Sequence, residues 1–251
     1  METVVYTFIG SFIDCEKRVD ILSYTIDSIL LNDTKYNKIF LSLSFLDREL
    51  ENYFDIVIPK KFPSIEIFKH EKRLPRILHV FWLYKKILER GDKYDYIFLV
   101  DDDDLISKNS VMMLKSYLDI HQNISCVRGC DISNHFEYDE TSSLFDECLV
   151  KHQLSNEDKM SIGEPRGKMF RKSIISCESL SNRLIIDNIN VFMKNTIDLL
   201  FNIAFLSNYK DIDEITYFYR KWSSPKSWST SNYTTEDEIY INQIYKYITN
   251  Q

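Results

Sequence analysis

Four consecutive aspartates, Asp101 to Asp104, follow directly on an apolar run in the segment YIFLVDDDDLIS. Carboxylates packed this closely repel one another, which raises the pKa of some of them unless a cation neutralises the group. A hard divalent ion such as Mg2+ or Mn2+ suits that task, because it takes oxygen ligands and keeps positions open for phosphate oxygens. Asp101 and Asp103, two apart just beyond a strand, can face the same side, one gripping the metal and the other a sugar hydroxyl. The ion would then stabilise negative charge developing on a leaving phosphate. The competing reading is a solvated turn in which Asp103 or Asp104 caps the next helix. Position favours the chemical reading: the run ends a strand late in a βα series, and ligands bind at that carboxyl edge of an open α/β sheet.

The elements that place the aspartates there are legible as periodicity. TVVYTFIGS (3–11) reads as a buried first strand, followed by a polar loop, FIDCEKR, and a helix from about Val19 to Leu31 with Leu22, Ile26, Ile29 and Leu30 on one face. NKIFLSLS (37–44) and IEIFKH (65–70) read as the second and third strands. From Arg76 to Arg90, Ile77, Val80, Phe81, Tyr84, Ile87 and Leu88 recur at helical spacing before YIFLV begins a central strand. His79 falls inside that helix and reads, like His70, as a core or surface residue.

Beyond the aspartates, SKNSVMMLKSYLDIH reads as a helix capped by Ser107 or Asn109, and ISCVRGCDI (124–132) as a strand. Residues 133–164 are polar and acidic with weak periodicity, which predicts a loop excursion, and KMFRKSII resumes order. Ile197, Leu200, Phe201, Ala204 and Phe205 stripe a further helix, DEITYFYRKW alternates as a strand, and a Ser/Thr-rich loop precedes a terminal helix, EDEIYINQIYKYI. The sum is an α/β protein with a mainly parallel sheet flanked by helices.

Composition narrows the function. A chain of 251 residues, 44% hydrophobic, can bury a full α/β core, and 31 basic against 38 acidic residues give no general reason to bind nucleic acid. Local basic clusters still suit phosphate or base contacts, as in Lys72, Arg73 and Arg76. With five glycines in the whole chain, GxGxxG and GxxxxGK[ST] loops are absent, so any phosphate is held another way. Cys126 and Cys130 with His121 or His135 make an incomplete zinc set and read as packing, and the odd count of five cysteines fits reduced thiols. No apolar run approaches the ~20 residues that span a bilayer, and METVVYTFIG lacks a basic leader, which predicts a cytoplasmic protein without a transmembrane segment. Association with a membrane through a partner stays open.

The order of these motifs resembles the nucleotide-sugar-dependent GT-A glycosyltransferases, glycosyltransferase family 2 in particular. RVDILSYTIDSILLNDT matches a family pattern like R-x-x-L-L-x-x-T-I-x-S-L-L-x-x-T through Arg18, Leu22, Thr25, Ile26, Ser28, Leu30 and Thr34. VDDDDLI matches an L-D-x-D-D-like motif, MFRKSII a later basic segment, and Asp198 with YKDIDEITYFYRKWSSPKSWS (209–229) the final stretch. The likeness runs from about Thr3 to Ser229 through motifs that are short one by one and specific in their order.

The resemblance implies a single Rossmann-like GT-A domain over residues 1–251, with about 1–106 as the nucleotide-sugar half and about 107–251 as the acceptor half. It implies that Asp103 binds Mn2+ or Mg2+, that Asp101 contacts the ribose or the metal, and that Asp102 lies among the donor contacts. Gly10, Ser11 and Arg18 would border the base, with Lys72 and Arg73 as a second basic cluster. Arg220, Lys221, Ser224 and Ser227 would close over the diphosphate. Asp198 would be the general base of an inverting transfer from a UDP, GDP or TDP sugar to a glycan hydroxyl.

Two departures bear on this. The family usually carries an Asp at the end of the second strand for the base, where this chain offers Ser42, Ser44 and only later Asp47. Ile197 rather than an acid precedes Asp198, so Asp187 and the loop acids compete as the base, and an acid opening a helix also complements its dipole. Trp222 and Trp228 suit either stacking on an acceptor sugar or packing. Two other readings of the chain are a nucleotidyltransferase, which would need a glycine-rich signature near the first strand, and a GT-A-like module that binds a glycan or protein without turnover.

Overall fold

β1 (Val5–Ile13) is apolar nearly throughout because both of its faces are covered, as a central parallel strand requires. The computed structural model describes residues 4–32, 35, 37–74, 79–80, 82–83, 86–87, 90, 94–134, 167–171 and 209–220. α1 (Glu16–Leu30) follows β1 after two residues and buries Val19, Leu22, Ile26 and Ile29. These meet Val5, Ile9 and Ile13 of β1 and Ile39, Leu41 and Leu43 of β2 (Asn37–Phe45) in one core cluster. The opposite sheet face is aromatic: Tyr6 stacks on Tyr94 at 5.0 Å and tilts against Phe40 at 4.7 Å. Alternation along β1 thus feeds two cores from one strand.

α2 (Arg48–Lys61) and β3 (Glu66–His70) extend the sheet on one side, and β4 (Tyr96–Leu99) pairs parallel to β1 on the other. β5 (Leu105–Ile106), α3 (Ser110–Ile120), β6 (Cys126–Asn134), β7 (Lys168–Arg171) and β8 (Tyr209–Arg220) complete the described elements. The strand order is β3-β2-β1-β4-β7-β6-β8-β5, with β7 antiparallel to β4 and β6, and β5 antiparallel to β8. The sheet is therefore mixed and mainly parallel. The chain winds outward from β1 to β3 and then crosses back to β4, so the winding reverses between β1 and β4. A crevice opens outside the carboxyl ends of two strands that part in this way.

Several expectations change. α2 is an element that the sequence reading passed over, because Pro59 and a charged exterior hide its stripe of Leu50, Tyr53, Phe54, Val57 and Ile58. Pro59 lacks the N–H that would bond to the carbonyl of Asp55 four residues back, so the last turn of α2 forgoes one helical hydrogen bond. Asp47 starts this helix by accepting the Leu50 N–H at 3.0 Å. The loop after β1 is shorter than expected, since β1 runs on to Ile13 and α1 begins at Glu16. Neither Asp103 nor Asp104 caps a helix: α3 begins at Ser110, after Asn109 in a left-handed conformation (φ 73°) that Asn tolerates. Asn109 thus holds the N-cap position expected of it, but its side chain makes no capping bond; Asn32, just past α1, accepts the Val111 N–H at 3.0 Å instead.

Helical residues at His79, Val80, Trp82, Leu83, Lys86 and Ile87 fall where periodicity predicts a helix. Cys126 is fully buried in β6, and burial raises its thiol pKa, which suits packing rather than metal ligation. The excursion read at 133–164 beyond Asn134, the helix around Ile197 to Phe205, the serine-rich loop and the terminal helix lie outside the described residues. No helix among the described residues is long and apolar enough to cross a membrane.

β6 and β8 run parallel with an irregular register between Arg128 and Asp131. Gly129 sits in that irregularity, and a Cβ on it would lie 2.3 Å from Thr216 Cγ2 and 2.5 Å from the Glu214 carbonyl oxygen. No side chain fits without moving β8. Gly129→Ala is expected to destabilise the fold by about 1–3 kcal/mol, seen as a lower urea midpoint at unchanged m-value.

Candidate functional site

The acidic run leaves β4 at the winding reversal and turns at once, with the Asp104 N–H reaching back to the Asp101 carbonyl at 3.4 Å. The turn sorts the four carboxylates. Asp101 and Asp103 are partly exposed, while Asp102 and Asp104 are buried. One carboxylate oxygen from each of Asp101, Asp103 and Asp104 lies within 4.8 Å of the others. The expectation that Asp101 and Asp103 share a side is met, and Asp104 joins them.

Each inward carboxylate has a partner. Asp102 accepts hydrogen bonds from Arg18 Nη1 at 2.8 Å and from the Ser11 hydroxyl, and its main-chain carbonyl accepts from Thr25 Oγ1 at 3.0 Å. Arg18 also reaches Asp14 through Nε at 3.2 Å. Burial alone would lower the Arg18 pKa, but Asp102, with Asp103 and Asp14, outweighs it and raises the pKa, keeping the guanidinium charged. Asp104 accepts from the Tyr217 hydroxyl at 2.7 Å, and the same hydroxyl oxygen accepts the Asp101 N–H at 3.1 Å. A buried carboxylate without such partners would be strongly disfavoured, so the turn has its shape because β1, α1 and β8 supply them.

The sites read from sequence divide accordingly. Gly10 lies in the carboxyl half of β1, in register with Ser42 of β2. Ser11 and Arg18 are brought to the acidic turn, where they bind Asp102. Lys72 and Arg73 are exposed beyond β3, and the Arg73 guanidinium lies 4.1 Å from the centroid of the Phe12 ring. Arg220 ends β8, in register with Asn134. Arg76, Asp187, Asp198, Lys221, Trp222, Ser224, Ser227 and Trp228 lie outside the described residues.

Where the resemblance calls for an acid at the end of β2, the chain places a chain of hydroxyls and imidazoles. Ser42 Oγ lies 2.6 Å from His70 Nε2 and 2.9 Å from His79 Nδ1, and Ser44 Oγ lies 3.2 Å from His79 Nε2 while accepting the Leu74 N–H at 3.0 Å. His79 is fully buried, with His70 at a ring distance of 5.3 Å. Asp47, the next acid along, is committed to capping α2. The sequence reading missed Tyr217 and this serine–histidine chain. The alternation of DEITYFYRKW assigns Tyr217 to one face of a strand without showing what that face meets.

No family model matches the sequence, and no match is found among curated proteins. The structure has a GT-A fold. Among solved structures it is similar to S. aureus TarS. The likeness to TarS 1–349 in complex with UDP-GlcNAc has a TM-score of 0.64 at 12% identity, covering 98% of this chain and 66% of that one. With the UDP complex the TM-score is 0.59, and with a longer TarS structure 0.58 at 11% identity, covering 39% of that chain. The chain thus spans about two thirds of TarS 1–349, and at these identities the likeness is one of fold.

Burial lowers the His79 pKa to about 3, with the charge of His70 adding to the effect. The unfolded chain takes up a proton on this residue near pH 6.5 that the folded state refuses, so stability present above that pH is lost as pH falls toward about 3. The slope this residue contributes is at most about 1.4 kcal/mol per pH unit. Urea midpoints should therefore drop between about pH 7 and about pH 5.5, and by less in His79→Gln. An equal drop in that variant would assign the sensitivity to other groups.

Proposed function

We propose that this protein is a metal-dependent, inverting glycosyltransferase that moves a sugar from a nucleoside diphosphate to a hydroxyl of a glycan. The observation that carries the reading is the convergence of Asp101, Asp103 and Asp104 at the winding reversal of a GT-A sheet. An all-carboxylate donor set with two partly exposed members fits a hard divalent cation and does not fit a thiophilic one. Asp103 and Asp101 would hold Mn2+ or Mg2+, with Asp104 behind them. When bound, the ion would offset the charge of the diphosphate leaving group.

The chain's own residues then have distinct tasks. Ser11 and Arg18 fix Asp102, which holds the acidic turn beside Gly10, and the backbone at Gly10 borders the base. Lys72, Arg73, Arg220, Ser224 and Ser227 are proposed to meet the phosphates and base, supplying positive charge and hydroxyl donors where charge develops. Asp198 is proposed as the base that takes the proton of the acceptor hydroxyl, so that the hydroxyl attacks the anomeric carbon opposite the departing diphosphate. Residues 1–106 would form the donor half and 107–251 the acceptor half. TarS was crystallised with UDP and UDP-GlcNAc, which makes uridine donors the first to test ahead of GDP and TDP sugars.

The test is thermal stabilisation by UDP, GDP and TDP and their sugar conjugates, with and without Mn2+, in wild type and Asp103→Asn. A ligand that binds the native state alone adds about 2.7 kcal/mol of stability at a hundred times its dissociation constant. A metal-dependent shift with one nucleotide, lost in the variant, is the expected result. A shift that persists in Asp103→Asn would refute the metal assignment, and no shift with any nucleotide would refute the donor reading.

A further inference from the structure

We infer that Tyr217 is a positioning residue of the acidic turn, and that Asp104 serves chiefly as the latch it holds rather than as a principal metal ligand; this rests on the metal reading above. Tyr217 is fully buried on β8, more than a hundred residues along the chain from the turn. Its hydroxyl makes two bonds of opposite sense, donating to Asp104 at 2.7 Å and accepting the Asp101 N–H at 3.1 Å. One atom therefore joins the first and last residues of the acidic run and sets their spacing. Because the Asp101 N–H is a main-chain donor, this bond also fixes the plane from which the Asp101 side chain leaves. Asp104 is fully buried, whereas Asp101 and Asp103 are partly exposed, so an arriving ion meets the latter pair first.

The support behind Tyr217 is rigid. The neighbouring Thr216 carbonyl accepts the Ser107 N–H at 3.0 Å and the Ser110 hydroxyl at 2.8 Å, tying β8 to the start of α3. β8 also pairs with β5 just beyond the turn, through Ile106 opposite Tyr217 and Leu105 opposite Phe218. The strand that carries the hydroxyl is thus tied to the segment that directly follows the acidic run. A group that orients ligands in this way typically changes metal affinity by 10–100-fold when removed.

The experiment is Mn2+ binding to the full chain in the presence of UDP, followed by the paramagnetic resonance of free and bound ion. The variants are Tyr217→Phe, Asp104→Asn and Asp103→Asn, with Tyr6→Phe as a control for loss of a buried tyrosine hydroxyl elsewhere. Tyr217→Phe keeps the ring in its slot, and it is expected to weaken Mn2+ about tenfold or more and to alter the bound-ion spectrum. Tyr6→Phe should change neither. Asp104→Asn retains an acceptor for the hydroxyl and should lose less affinity than Asp103→Asn, a comparison that holds even if Tyr217→Phe does not fold. Wild-type affinity and spectrum in Tyr217→Phe would overturn the inference, as would Asp104→Asn binding as poorly as Asp103→Asn. Failure of the wild type itself to bind Mn2+ would instead overturn the metal reading on which the inference stands.

Discussion

Charge compensation inside the acidic turn is the constraint around which this sheet edge is organised. Four carboxylates cannot all face water in a tight turn, and two of them point into protein, where an uncompensated charge is strongly disfavoured. Asp102 has Arg18 and Ser11 as partners, and Asp104 has Tyr217. Those partners come from α1, β1 and β8, so the turn is stable only when all three elements are in place. The partly exposed pair, Asp101 and Asp103, is a consequence of burying the other two.

The same logic explains why polar residues interrupt otherwise apolar elements. Ser11 in β1, Thr25 and Ser28 in α1, and Asn32 just past α1 are all buried, and each bonds to the segment from Asp102 to Val111. Thr25 takes the Asp102 carbonyl and Ser28 accepts the Ile106 N–H, so α1 provides a polar seam along one side of its apolar stripe. The residues of RVDILSYTIDSIL that carry the family resemblance are thus largely those that bury α1 or hold the turn. On the far side of β1, the seam at Ser42, Ser44, His70 and His79 replaces the acid expected there with neutral groups, since burial keeps His79 from taking a proton.

Much of this was legible before any coordinates. The apolar runs that became β1, β2, β3 and β4, the stripe of α1 and the position of the aspartates after β4 follow from periodicity and turn chemistry, which are local. α2 was not legible, because its stripe is thin, Pro59 interrupts it, and most of its other positions are polar. Asn109, one of the two residues that local sequence offers as the cap of α3, does hold the N-cap position, but its side chain makes no capping bond, and Asn32 accepts the Val111 N–H across 79 residues of chain.

The sequence by itself determined that a hydrophobic core would form around parallel strands and that carboxylates would cluster at one strand's carboxyl end, because both depend on residues adjacent in the chain. Tertiary structure decided which carboxylates turn inward, which remain partly exposed, and what holds them. Those outcomes depend on contacts such as Arg18 with Asp102 and Tyr217 with Asp104, separated by 84 and 113 residues. A one-dimensional pattern carries no record of such pairs, since either residue alone looks like an ordinary surface arginine or a strand tyrosine until the sheet brings its partner within 3 Å.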